Sequence, residues 1–126
     1  MSKVFKVGLI GCGHIAETYF KAHKYFNNFK IIKCADINHL AAKKCASFYK
    51  IEALSVKNLL RDKEIEIILN LTVPKAHYEV SKKALLHNKH VYTEKPMAIN
   101  IKDGKKLLQI AKKKKLYICL LYTSPS

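Results

Sequence analysis

Apolar residues in this chain fall into two alternating patterns: short continuous runs, and longer stretches where they recur every three or four positions. Phe5 to Ile10 is a short apolar run, as expected for a strand buried on both faces. His14 to Tyr25 follows with Ile15, Tyr19 and Phe20 on one helical face. Phe29 to Ala35 reads as a second strand ending at Asp36. Asn38 is placed to cap a helix in which Ala42, Cys45, Ala46 and Tyr49 repeat at i, i+3, i+4 and i+7. Ile51 to Leu54 predicts a short third strand and Val56 to Leu60 a short helix. Ile65 to Leu71 predicts a buried strand, stopped by Thr72-Val73-Pro74. His77 to His87 predicts a helix with Val80, Ala84 and Leu85 inward. Val91 to Glu94 is a fifth strand, stopped by Lys95-Pro96. Asn100 and Asp103 resemble a capping box, opening a helix expected to bury Gly104, Leu107, Leu108 and Ala111. Leu116 to Leu120 closes the series as a sixth strand.

Strands that alternate with helices form a parallel sheet covered on both faces. Right-handed crossovers leave few topologies, and six strands in two halves fit the α/β doubly wound (Rossmann) dinucleotide fold. The expected unit is one domain over residues 1–118.

Composition narrows the function classes. The net charge is +15, from 24 basic and 9 acidic residues. The excess is almost all Lys, with a single Arg at Arg61, whereas bidentate recognition of bases and phosphates favours Arg. Runs such as Lys112 to Lys115 fall on expected helix surfaces and ends. The charge therefore reads as solvated helix faces, with a general attraction to anions and no specific nucleic-acid partner. Cys12, Cys34, Cys45 and Cys119 form no Cys-x-x-Cys pair and no Cys/His cluster of zinc spacing. They read as reduced, structural thiols of a cytoplasmic protein, with no metal site. No apolar run approaches the roughly 20 residues of a membrane span, and no membrane partner is expected.

The sharpest local chemistry is Gly11-x-Gly13-x-x-Ala16, between the first strand and the first helix. Gly11 permits a tight turn, Gly13 lets backbone approach a pyrophosphate, and Ala16 lets the helix lie close to the strand. The helix start, at His14 and Ile15, offers backbone N–H groups and a positive dipole end to phosphate. Asp36 lies 25 positions after Gly11, at the end of the next strand. Its carboxylate can accept from both ribose hydroxyls and would repel a 2′-phosphate, which points to NAD rather than NADP.

The second half narrows the reading. Asn70-Leu71-Thr72-Val73-Pro74-x-x-His77, followed by His90-Val91-Tyr92-Thr93-Glu94-Lys95-Pro96, resembles the glucose–fructose oxidoreductase/inositol dehydrogenase (Gfo/Idh/MocA) family. That family pairs Thr-Pro-Asn-x-x-His after strand four with Glu-Lys-Pro after strand five. One departure is visible: here an extra residue, Val73, precedes the proline. The resemblance implies that Leu71, Thr72, Pro74 and His77 border the cofactor and that Glu94 and Lys95 lie beside the nicotinamide. It also implies that Lys95 is catalytic, holding the substrate hydroxyl that is oxidised while Pro96 aims it. An ammonium there stabilises developing alkoxide charge.

The implied activity is an NAD(P)-dependent oxidoreductase that moves a hydride between nicotinamide and a hydroxyl-bearing carbon of a sugar, cyclitol or nucleotide-sugar. Family enzymes carry a further substrate domain with the general base, usually a His, and most form homo-oligomers through it. That domain is expected to be absent here, and residues 119–126 are expected to be either a tail foreign to the native chain or a natural tail that frays. The fragment alone should therefore be inactive. A non-catalytic dinucleotide sensor or scaffold on the same fold stays open, since fold does not fix function.

Overall fold

A computed structural model of the chain describes residues 4–22, 28–94 and 98–121; the side chains at positions 14, 15, 21, 22 and 121 lie outside that description. The strands are β1 (Phe5–Ile10), β2 (Phe29–Ala35), β3 (Glu52–Ala53), β4 (Ile67–Asn70), β5 (His90–Glu94) and β6 (Ile118–Leu121). The helices are α1 (His14–Ala22), α2 (His39–Tyr49), α3 (Val56–Arg61), α4 (Pro74–Leu86) and α5 (Ile101–Lys114). All strand pairs are parallel, in the order β3-β2-β1-β4-β5-β6. This is the doubly wound order, with its switch point between β1 and β4.

Two apolar layers sandwich the sheet. On one face Val7, Leu9, Ile31, Cys34, Ile67 and Leu69 pack with Ala16 and Phe20 of α1 and with Cys45 and Ala46 of α2. On the other, Ile10, Ala35, Ile68 and Val91 pack with Leu59 and Leu60 of α3, Ala84 and Leu85 of α4, and Leu107 and Ala111 of α5. Successive strand residues point to opposite faces, which is why these strands are apolar throughout instead of alternating. Burial of each Val, Leu or Ile side chain among them contributes about 1.5–3 kcal/mol. The Phe20 and Tyr49 rings stack with centroids 3.8 Å apart, joining α1 to α2.

The helix boundaries follow local chemistry. The Asn38 side chain accepts from the amides of Leu40 and Ala41 to start α2, and that of Asn100 accepts from the Asp103 amide to start α5. Several expectations need correction. Helix α4 begins at Pro74, not His77, because Pro fits the first helical turn, where its missing N–H costs nothing. Leu108 is half exposed rather than buried, being about 100° around α5 from Leu107. Gly104 is only partly buried. Strand β4 is shorter than the apolar run suggested, and β3 is a two-residue edge strand. Lysines are not uniformly solvated either: Lys89 is 4% exposed. The expected reach of α1 to Tyr25 lies outside the described residues. No helix among the described residues is long and apolar enough to cross a membrane.

Candidate functional site

The carboxyl ends of β1, β2, β4 and β5 bring together the residues singled out from sequence. Gly11 follows β1 with φ +106°, a region that favours glycine. A Cβ there would also lie 2.6 Å from the backbone carbonyl of Leu71, so the β1 turn and the loop after β4 are nested against each other. At Gly13, by contrast, a Cβ would meet nothing within 4 Å. One glycine is required by the protein's own packing, while the other keeps a space clear above the turn. Ala16 is 2% exposed and its amide donates to the Gly13 carbonyl at 3.1 Å, closing the turn onto α1. The backbones of His14 and Ile15 form the first turn of α1, whose amides have no partner within the helix.

Asp36 stands just past β2. One carboxylate oxygen accepts from the Cys12 amide at 2.7 Å, the other from the Asn38 amide at 2.8 Å. The group thus ties the glycine turn to the start of α2. A carboxylate offers about four acceptor sites, so capacity remains for hydroxyls of a bound ligand.

The loop after β4 is held by a buried polar network. Asn70 is fully buried; its amide nitrogen donates to the His77 carbonyl at 3.0 Å and to Ser81 Oγ at 2.9 Å. Its oxygen accepts from the Thr72 amide at 3.2 Å and from Thr72 Oγ1 at 2.6 Å. His77, 2% exposed, places Nε2 at 2.6 Å from the Thr72 carbonyl. A carbonyl only accepts, so the proton sits on Nε2. Leu71 is buried, and its amide continues the ladder to the Ile10 carbonyl at 2.8 Å. Pro74 and the inserted Val73 are exposed at the mouth.

Glu94 ends β5 half-buried. The Tyr19 hydroxyl of α1 is buried beside Glu94, and burial first, then the Glu94 charge and its acceptor oxygen, raise its pKa to about 12. Lys95 and Pro96 follow Glu94 in sequence but lie outside the described residues. Gly11, Gly13, Ala16, Asp36, Leu71, Thr72 and Pro74 therefore share one rim. Within it, His77 turns inward to brace the loop.

The family profile described as "Oxidoreductase family, NAD-binding Rossmann fold" (Gfo/Idh/MocA) matches residues 5–122. The chain belongs to this family. Inositol 2-dehydrogenase of Salmonella typhimurium is 27% identical over 112 residues, covering 86% of this chain and 33% of that protein. Among solved structures, the WlbA dehydrogenase of Chromobacterium violaceum, in complex with NADH and UDP-GlcNAcA, is 27% identical with TM-score 0.89, covering 96% of this chain and 36% of that one. Biliverdin reductase of Synechocystis, in complex with biliverdin and NADP+, is 26% identical with TM-score 0.84, covering 91% of this chain and 37% of that one. The chain spans about a third of the length of the relatives it matches.

As a member of this family, the chain carries features its sequence spacing did not expose. Asn70 is the organiser of the second loop, and a lone polar residue ending an apolar strand was the signal for it. Asp36 binds the protein's own turn and the start of α2. Cys12, Cys34 and Cys45, far apart in sequence, bring their sulfurs together.

Proposed function

We propose that this chain is the cofactor-holding part of an oxidoreductase acting on a hydroxyl-bearing carbon of a sugar, cyclitol or nucleotide-sugar, with NAD favoured over NADP. Asp36 carries the cofactor preference. Its carboxylate, anchored between the Cys12 and Asn38 amides, sits where ribose hydroxyls could donate to it and where a 2′-phosphate would be repelled. The names of relatives that act on inositol or hold a UDP-sugar support the substrate class.

The chain's own residues then divide the work. Gly13 leaves room for a pyrophosphate, and the first amides of α1 face it with the positive end of the helix dipole. Leu71, Thr72 and Pro74 wall the crevice on the β4 side, with His77 and Asn70 as positioning residues that keep the Thr72 backbone in place. Glu94 and Lys95 border the reacting carbon, and the Lys95 ammonium orients the hydroxyl and stabilises negative charge developing on its oxygen. A bound nicotinamide would supply the hydride acceptor. The general base and most substrate contacts belong, in this proposal, to the part of the relatives outside the matched third, as does assembly into a homo-oligomer. The four free thiols suit a reducing compartment, and we place the protein in the cytoplasm.

Isothermal titration of the folded chain with NADH and NADPH tests the reading. NADH should bind weakly, in the millimolar to sub-millimolar range, with no turnover of inositol or glucose. Asp36→Ala should weaken NADH about tenfold, the loss of a charge-assisted hydrogen-bond pair, and weaken NADPH much less. Equal losses for the two cofactors would remove the ribose role, and no NADH binding at millimolar concentration would remove the function.

A further inference from the structure

Cys12 lies in the glycine turn, Cys34 near the end of β2 and Cys45 in the middle of α2. Their sulfurs all lie within 4.8 Å of one another. Cys34 is fully buried, Cys45 nearly so, and Cys12 half-buried; all three are free thiols. We propose that Cys12, Cys34 and Cys45 form a three-thiolate site for a thiophilic divalent cation of the zinc type, beneath the glycine turn.

The geometry is close to what such an ion needs. Sulfurs bound to one zinc at about 2.3 Å are separated by about 4 Å, so shifts of well under 1 Å convert the thiol cluster into a coordination shell. Among the described residues only sulfur ligands converge here, and thiolates select soft or borderline d10 ions over calcium, magnesium or manganese. Charge selects among those. Three thiolates around a divalent ion leave a net charge of −1, and around a monovalent ion −2. With the apolar core around the buried sulfurs and the Asp36 carboxylate bonded to the Cys12 backbone amide nearby, the smaller negative charge is favoured. Cys12 alone of the three reaches solvent appreciably, so a water on its side can complete a tetrahedron.

Binding forms three metal–sulfur bonds and releases the three thiol protons to solvent. In the metal-free cluster the Cys12 and Cys34 thiols donate weakly to the carbonyls of Ala35 and Ala42, both at 3.5 Å. Those contacts already aim the two sulfurs. An ion in this place would tie the turn to both β2 and α2, adding to the hydrogen bonds of Asp36, Cys12 and Cys34 that already join them. The inference does not depend on the dinucleotide reading, since its ligands and its readout are separate from cofactor affinity.

The test uses the intact reduced chain and Cd2+ as a spectroscopic stand-in, with Zn2+ as competitor. One Cd2+ per chain should bind, with ultraviolet sulfur-to-cadmium charge transfer and release of about three protons at pH above 6. Excess Zn2+ should bleach the signal. Loaded chain should resist alkylation at Cys12, Cys34 and Cys45 while Cys119 still reacts. Cys45→Ser should weaken Cd2+ by tenfold or more, whereas Cys119→Ser should leave it unchanged. Absence of the charge-transfer band, or equal alkylation of the three thiols with and without Cd2+ in the wild-type chain, overturns the proposal whatever the variants do. Loss of binding in Cys119→Ser alone also overturns it.

Discussion

The two rims of this parallel sheet are made of the same kinds of loop, yet they use their polar groups in opposite ways. At the amino rim, where the chain enters β4 and β5, polar groups are consumed internally. Lys89 is buried and its ammonium donates to the carbonyls of Asp62 and Ile65 at 2.6 and 2.7 Å. Lys33 reaches across from β2 to Asp62, to Glu64 at 3.0 Å and to Glu52 at 3.7 Å, while Lys6 pairs with Glu64 at 3.1 Å. At the carboxyl rim the described loops are held by Asp36, Asn70 and His77, and Gly13 faces open space.

The direction of the helices explains the difference. Each helix in such a fold begins at the carboxyl rim and ends at the amino rim. Amide hydrogens therefore collect at one rim and carbonyl oxygens at the other. Lysines suit the carbonyl side, and the last turn of α5 holds Lys112, Lys113 and Lys114. The positive charge of the chain is thus partly structural. The amino rim also carries an open groove of about 540 Å³, lined by Arg61, Lys63, Glu66, His87, Asn88 and Lys89 among others. In our proposal the ligand lies at the other rim, where the helix dipoles and the glycine turn meet.

Three substitutions would break or sharpen this contrast. The largest effect is expected for Lys89→Ala, which leaves two carbonyls without their buried donor and opens a void. Urea unfolding should show a loss of about 2–4 kcal/mol, with dinucleotide affinity of the folded fraction changed less than about twofold. A matching loss of affinity would mean the rims are not separable. Gly13→Val should do the reverse: the fold has room for the side chain, so stability should move by no more than about 1 kcal/mol. Dinucleotide affinity should nonetheless fall by about tenfold or more, read by titration. Unchanged affinity would show that the space above the turn is not the phosphate site.

The smallest effect concerns acid. Lys33 beside it holds the Asp62 carboxyl below the usual carboxylate range, chiefly by a direct hydrogen bond. The folded state then binds this proton less readily than the unfolded one. Its stabilising contribution is complete above the ordinary carboxylate pKa and is lost as pH falls through the depressed one. Asp62→Asn should flatten that part of the stability–pH curve below about pH 4. Unfolding midpoints of both chains across that range measure it, and parallel curves would contradict the assignment.

How much of this was legible in the sequence depended on the range of the interaction. The strand–glycine turn–helix unit and Asp36 were readable because each rests on local backbone chemistry and a fixed spacing. Helix starts at Asn38 and Asn100 were readable for the same reason. The extent of α4 was misplaced because His77 looked like a helix start, whereas Pro74 is the residue with nothing to lose there. Lys89 read as solvated because lysines usually are; only the meeting of the loops before β4 and β5 buries it. The Asn70–Thr72–His77 brace lies within one short stretch, but its hydrogen bonds depend on how the loop after β4 folds back; the Cys12–Cys34–Cys45 cluster joins separate elements, and no short spacing announces it.

The two rims differ most decisively in which of them takes the dinucleotide. Amide chemical-shift mapping of the isotope-labelled chain with NADH reads this residue by residue. The predicted result is a set of perturbations confined to Gly11, Cys12, Gly13, Ala16, Asp36, Leu71 and Thr72, with the amides of Asp62, Glu64, Asn88 and Lys89 unmoved. Shifts centred on the amino-rim groove, with the glycine turn silent, would contradict it.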